Sequence, residues 1–318
     1  MRDPQRYLQV ERRIFAHAGL DVDERMIELR RVRGKARLLA VGQGDPLLLL
    51  AGGPNVAATF ALLAPELRGF RCLLLDRPGT GLSAPLPTTP DAGRLQAYLV
   101  ELVADVLDDL SLARSHLLGS SLGGYAALLA AAALPHRIGR LVLLGCPAFA
   151  PGWKQPSFFT LLRTPVLGEL LLRLPAGRRD ALRFLRAMGS GKSLASGRLP
   201  EVIVDLFTAW MADTDTMRND AAMIRACGTW AGGFAPELDV RTEHLSQVLA
   251  PTLVVAGTDD PVGGLEVVRN VASAVSNGQV TAIENAGHLP WLDDPVAVGR
   301  AVYRFLGEEV TTVGNQPA

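Results

Sequence analysis

Short apolar runs bounded by turn residues recur along this chain, separated by longer segments of helical pattern. Leu47–Ala51, Arg71–Leu75, His116–Gly119 and Arg140–Leu144 are four such runs, and Thr252–Ala256 and Gln279–Ile283 are two more. Runs of this kind predict strands buried on both faces. Helices are predicted between and after them, at Ala57–Leu67, Arg94–Leu110, Leu122–Ala133, Glu266–Ala274 and Pro295–Leu306. Strands alternating with helices predict a mostly parallel sheet covered on both faces, an α/β fold.

Two regions depart from this rhythm. Residues 3–18 read as an amphipathic helix with Tyr7, Val10, Ile14 and Phe15 on one side. Extended segments near Met26–Val32 and Ala36–Val41 follow, joined through Gly34-Lys35. From about residue 150 to 245 no strand is predicted. Helical stretches are expected at Ser157–Arg163, Val166–Leu174, Arg179–Met188, Pro200–Met211 and Thr216–Trp230. This region is rich in large apolar residues, among them Trp153, Phe158, Phe159, Phe184, Met188, Phe207, Trp210, Met223, Trp230 and Phe234. Most of them are expected to pack the helices together, and some to line an apolar pocket beneath a helical lid. The expected organisation is an N-terminal helical arm (1–25), an α/β core (26–150 and 245–318) and a helical cap (151–244).

Composition narrows the function classes. With 48% hydrophobic and 20% charged residues the 318-residue chain can fill a large core, which argues against disorder. Lys+Arg and Asp+Glu balance at 32 each, giving no support to nucleic-acid binding. Cys72, Cys146 and Cys227 are odd in number with no C-x-x-C pair, so neither a disulfide framework nor a zinc site is expected. A reducing, cytoplasmic compartment is the expectation, since Met1–Arg6 lacks the apolar core of a signal peptide. Leu117–Leu134 is uncharged and long enough to mimic a membrane span, but Gly119, Ser120, Ser121, Gly123 and Gly124 split it into strand, turn and helix. Oligomeric state is not legible.

Gly119-Ser120-Ser121-Leu122-Gly123 fits G-x-S-x-G between an apolar strand and an Ala-rich helix. A serine hydroxyl becomes a nucleophile only when exposed, positioned and next to a base. A tight strand-to-helix turn exposes it and demands small neighbours. Ala286-Gly287-His288-Leu289-Pro290 follows the last predicted strand and supplies the base, whose side chain titrates near neutral pH. His17, His116, His136 and His244 do not lie just beyond the C-terminal end of a central strand, where open α/β sheets bind ligands. Gly257-Thr258-Asp259-Asp260-Pro261 follows strand Thr252–Ala256 and offers two carboxylates to orient the histidine. The chain order Ser121, Asp260 (or Asp259), His288 is that of α/β-hydrolases and differs from the other common serine triads.

On these residues the chain resembles the α/β-hydrolase superfamily over most of 26–150 and 245–308. Ala51-Gly52-Gly53-Pro54 is similar to the family's His-Gly-Gly-Pro turn, and Asp76-Arg77-Pro78-Gly79-Thr80-Gly81-Leu82-Ser83 to its Asp-Arg-x-Gly-x-Gly-x-Ser segment. The resemblance implies Asp260 as the acid through Gly257-x-x-Asp260, an oxyanion hole from the amides of Gly53 and Leu122, and a helical cap like those of proline iminopeptidase-, epoxide hydrolase- and dehalogenase-like members. Ala51 stands where the family has His, and Ser121 where dehalogenases and epoxide hydrolases need Asp, which favours acyl transfer.

Other patterns read as structural. Gly189-Ser190-Gly191-Lys192-Ser193 lacks the earlier glycine of a phosphate-binding loop, Arg186 standing there. Asp293-Asp294-Pro295 is expected to cap the last helix. No metal or cofactor is expected, since no His, Cys or carboxylate cluster has ligand spacing. The expected activity is a carboxylesterase-like serine hydrolase acting on small to medium apolar esters. A C–C bond hydrolase, lactonase, thioesterase or perhydrolase with the same triad is the alternative, and a non-catalytic ligand-binding protein of this fold is another.

Overall fold

The computed structural model describes residues 3–229 and 232–307 and, within them, every side chain but those at 165 and 167. Trp230 and the expected end of the core at 318 lie outside the described residues. Eight strands form one sheet: β1 (Asp23–Leu29), β2 (Gly34–Val41), β3 (Asp45–Leu50), β4 (Phe70–Asp76), β5 (Ser115–Ser120), β6 (Ile138–Leu144), β7 (Thr252–Gly257) and β8 (Gly278–Ile283). Their spatial order is β1-β2-β4-β3-β5-β6-β7-β8. The β1–β2 and β2–β4 pairs are antiparallel and the remaining five are parallel, so the sheet is mostly parallel as the sequence predicts.

The apolar runs become the interior strands because both faces of a parallel sheet are covered. Successive side chains point to opposite faces. Thus Leu48 and Leu50 enter one core with Leu73, Leu117 and Leu141, while Leu47 and Leu49 enter the other with Leu74 and Leu118. The edge strand β8 is mostly exposed or half-buried. Helix α1 (Pro4–His17) covers the second face, α2 (Ala92–Asp109) and α3 (Leu122–Ala133) the first.

Between β6 and β7 the chain is helical: α4 (Ser157–Arg163), α5 (Pro165–Arg173), α6 (Arg178–Ala187), α7 (Gly191–Ala195), α8 (Glu201–Asp213), α9 (Thr216–Ala226) and α10 (Thr242–Ser246). Helices α11 (Leu265–Ala274), α12 (Pro290–Asp293) and α13 (Pro295–Gly307) complete the order. The arm does not stand apart. Tyr7 and Ile14 of α1 are fully buried in the cluster that contains Phe207 and Trp210 of α8, and Arg6 pairs with Asp213 at 2.7 Å.

One expected helix is not formed. Ala57–Leu67 folds as two 3-10 turns, Ala57–Phe60 and Ala64–Glu66. Pro65 has no N–H to donate and its ring crowds the preceding turn. Thr59 also turns its hydroxyl back to the Val56 carbonyl at 2.8 Å. Among the described residues no helix is long and apolar enough to cross a membrane, and the three cysteines are free and buried.

The strand order places the functional end of the sheet. From β3 the chain goes outward to β4 and then returns across β3 to β5. Such a reversal leaves a crevice at the carboxyl ends of the strands. The loops leaving β3 and β5 therefore open side by side, one carrying Gly52-Gly53 and the other Ser121.

Candidate functional site

Ser121 sits between β5 and α3 with φ 51° and ψ −114°, a conformation that a side-chain-bearing residue rarely adopts. The crowding that sequence reasoning attributed to this turn is measurable. A Cβ on Gly119 would lie 2.3 Å from the Gly123 carbonyl oxygen, and one on Gly123 would lie 2.0 Å from the Leu50 carbonyl oxygen. The turn is pinned by the Ser121 carbonyl, which accepts from the Tyr125 N–H at 2.9 Å and the Ala148 N–H at 3.1 Å. Backbone strain held by surrounding structure in this way marks functional turns.

Leu122 is the first residue of α3, so its N–H has no partner within the helix. The β3 loop lies against the serine: a Cβ on Gly52 would be 3.0 Å from Ser121 Cβ. Gly53 follows, joined to Pro54 by a cis peptide bond. The structure thus places the Gly53–Pro54 loop and the start of α3 on one pocket with Ser121.

His288 is 4% exposed, and its Nδ1 lies 2.9 Å and 3.1 Å from the two carboxylate oxygens of Asp260. Asp259 instead reaches the surface, where Lys192 Nζ lies 2.8 Å from it. Of the two adjacent aspartates, the geometry pairs Asp260 with the imidazole. Asp260 also accepts from the backbone N–H groups of Val262 (2.8 Å), Gly263 (3.3 Å) and Cys146 (3.2 Å). Burial pushes this carboxyl up, but His288 and the N–H groups of Val262 and Cys146 outweigh burial and hold it below the ordinary carboxylate range. The carboxylate therefore stays ionised, which suits orienting an imidazole and stabilising its cation.

The loop bearing His288 is held by the helical insertion, which sequence reasoning did not foresee. The His288 N–H donates to the Met188 carbonyl at 2.7 Å. Gly189, at φ 92°, approaches Gly287 so closely that a Cβ would lie 2.8 Å from Gly287 Cα. Asp293 does not cap the last helix as expected. Its Oδ2 accepts from the Gly287 N–H at 2.8 Å and lies 3.2 Å from Ser190 Oγ, while Asp294 alone caps, accepting from the Ala297 N–H at 2.9 Å. The Gly189–Ser193 segment is thus a bracket against the histidine loop.

Ser121 and His288 line one apolar pocket of about 60 Å³, walled by Phe149, Trp153, Phe158, Phe184, Met223 and Leu289. Phe158 and Phe184 also border a second apolar cavity of about 370 Å³ within the insertion. Two further polar side chains line the first pocket: Asn55, whose Oδ1 accepts from the Val56 N–H at 2.9 Å, and Asp220 of α9. Asp220 is 1% exposed and its Oδ1 is ion-paired with the buried Arg77 guanidinium. Its Oδ2 has no hydrogen-bond partner. Burial pushes the Asp220 carboxyl up, opposed by Arg77. The sequence did carry a signal for Asp220. It stands three residues after Met217 and three before Met223, on the apolar stripe of its helix. A hydroxyl, an imidazole and a buried carboxylate beside an apolar pocket can carry out nucleophilic acyl transfer. Among the described residues no group of His, Cys, Asp and Glu is arranged to hold a metal ion.

Comparison with known proteins gives three findings. The family model of the alpha/beta hydrolase fold matches residues 45–295. A 2-hydroxy-6-oxononadienedioate/2-hydroxy-6-oxononatrienedioate hydrolase from Cupriavidus pinatubonensis is 28% identical over 239 residues, covering 75% of this chain and 77% of that protein. Among solved structures, carboxylesterase CesB from Bacillus subtilis is similar with a TM-score of 0.76 at 23% identity, covering 96% of this chain and 99% of that one. The 2-hydroxy-6-oxo-6-phenylhexa-2,4-dienoate hydrolase from a Rhodococcus strain gives a TM-score of 0.73 at 19% identity, covering 90% and 99%.

Proposed function

The chain belongs to the α/β-hydrolase fold family, and from that premise we propose that it is a metal-free serine hydrolase of small to medium apolar carboxylic esters. The observation that carries the proposal is the strained Ser121 on one apolar pocket with His288, whose imidazole is held by the buried Asp260. Ser121 Oγ attacks the ester carbonyl while His288 takes its proton, and Asp260 keeps the imidazole in the tautomer that accepts at its other nitrogen. The amides of Gly53 and Leu122 stabilise the oxyanion. The alcohol leaves with the proton from His288, and water activated by His288 resolves the acyl-enzyme.

Carbon–carbon bond hydrolysis by the same residues is the second reading. It is favoured by the name of the Cupriavidus relative, whose substrate is a dienedioate. The pocket supports the ester reading over it. A dicarboxylate needs cationic partners, and the pocket wall carries no Lys or Arg among the described residues but does carry the Asp220 carboxylate. Arg77, nearby, is already neutralised by Asp220.

Turnover of p-nitrophenyl esters of increasing acyl length by wild type and Ser121→Ala tests the proposal. Loss of the nucleophile is expected to cost several orders of magnitude in kcat. Near-normal turnover by the variant would refute the assignment, and fast cleavage of a vinylogous diketone with background ester activity would favour the second reading. Failure of Ser121 to react with a fluorophosphonate probe in folded protein would favour a binding protein without turnover.

A further inference from the structure

We infer that Asp220 selects, among the esters proposed above, those bearing a neutral hydroxyl on the carbon α or β to the reacting carbonyl. This rests on the ester reading and adds a specificity residue to it. Asp220 is fully buried and lines the pocket, and its unpartnered Oδ2 lies beside Gly53, where an added Cβ would be 3.2 Å from it. A buried carboxylate oxygen without a donor is costly, and a ligand donor that reaches it gains a charge-assisted hydrogen bond.

Three features define the donor. It is close to the carbonyl, because Gly53 supplies the proposed oxyanion amide and Oδ2 is its neighbour. The acyl side offers the shorter path, since the ester oxygen itself bears no hydrogen. It is neutral, because the Arg77–Asp220 pair is already balanced in charge. An ammonium would meet the Arg77 guanidinium, whose Nη2 is 3.4 Å from the same Gly53 Cβ position. An added carboxylate would meet Oδ2. The remaining wall is mostly apolar, with Phe149, Phe158 and Met223; Asn55 also lines it, and its Oδ1 already accepts from the Val56 N–H at 2.9 Å.

The test uses matched methyl esters followed by pH-stat titration: methyl butanoate, its 2- and 3-hydroxy derivatives, and the corresponding methoxy derivatives, each rate divided by its alkaline hydrolysis rate. In wild type, kcat/KM for at least one hydroxy ester is expected to exceed that of methyl butanoate about tenfold or more, as one hydrogen bond to a charged group allows. The methoxy ester, similar in size but without a donor, is expected to lose the gain. Asp220→Asn, checked for folding by thermal unfolding, is expected to collapse the hydroxy-to-deoxy ratio toward one; the methoxy comparison stands on wild type alone if that variant does not fold. A ratio near one or below it in wild type overturns the inference while leaving the esterase intact. No turnover of any ester overturns both.

Discussion

Gly189→Ala tests whether the helical insertion holds the histidine loop in place. At φ 92° an alanine is strained by roughly 1–3 kcal/mol. The added methyl would also lie 2.5 Å from the Asp259 carbonyl oxygen and 2.8 Å from Gly287 Cα. Restoring an ordinary contact near 3.4 Å requires Gly189 to part from the Asp259 carbonyl by about 0.9 Å and from Gly287, beside His288, by about 0.6 Å. Repacking of that kind costs about 1–3 kcal/mol. The sum is a sizeable part of the roughly 5–15 kcal/mol that stabilises a domain. Because the His288 N–H is bonded to Met188, the parting displaces the imidazole relative to Ser121. A misplacement of about 1 Å costs on the order of 10²-fold in rate. The expected result is a kcat on p-nitrophenyl butyrate lower by roughly that factor, slower fluorophosphonate labelling of Ser121, and a Tm lower by several degrees. Gly191→Ala is the control, since a Cβ there meets nothing within 4 Å. A Gly189→Ala protein with unchanged Tm and kcat within about twofold of wild type would show that the bracket does not position His288.

Asp260→Asn keeps the shape but removes the charge proposed to fix the His288 tautomer, and is expected to lower kcat about 10⁴-fold. The native carboxyl of Asp260 lies below its ordinary value of 3.8, so its contribution to stability is complete above that pH and lost as pH falls through the lower native value. The difference in unfolding free energy between wild type and Asp260→Asn should therefore shrink as pH falls below about 4; a difference that widens below that pH contradicts the assignment. Trp291→Ala removes a fully buried ring that stacks on Phe60 at 5.0 Å and donates to the Thr59 carbonyl at 2.9 Å. It is expected to cost about 3–5 kcal/mol in urea unfolding, and a loss below about 1 kcal/mol would mean the site collapses around the gap.

The fold was legible because its signals are local. Leu47–Ala51 or Arg140–Leu144 can bury both faces only as interior strands, and Gly119 to Gly124 can form only a tight turn ahead of a helix. Ser121 and His288 were singled out the same way, each by its place just after a strand. Between Asp259 and Asp260, the residues alone left the choice open, and resemblance favoured the one that the coordinates pair with His288.

What the sequence could not give depends on contacts between distant segments. Ala57–Leu67 has the composition of a helix, yet Pro65 and the Thr59 hydroxyl, turned back to the Val56 carbonyl, go with two separate turns. Asp293 reads as a helix cap because of Pro295, and only the approach of Ser190 and Gly287 shows that it braces the histidine loop. Gly189 reads as part of a phosphate-loop decoy until Gly287 is seen beside it. Asp220 and Arg77 are 143 residues apart. Local chemistry, set by each residue and its neighbours along the chain, determined the strands, the turn and the reactive groups; the tertiary structure alone decided which buried charges meet, because ion pairing and close backbone contact depend on distance in space and are invisible in one dimension.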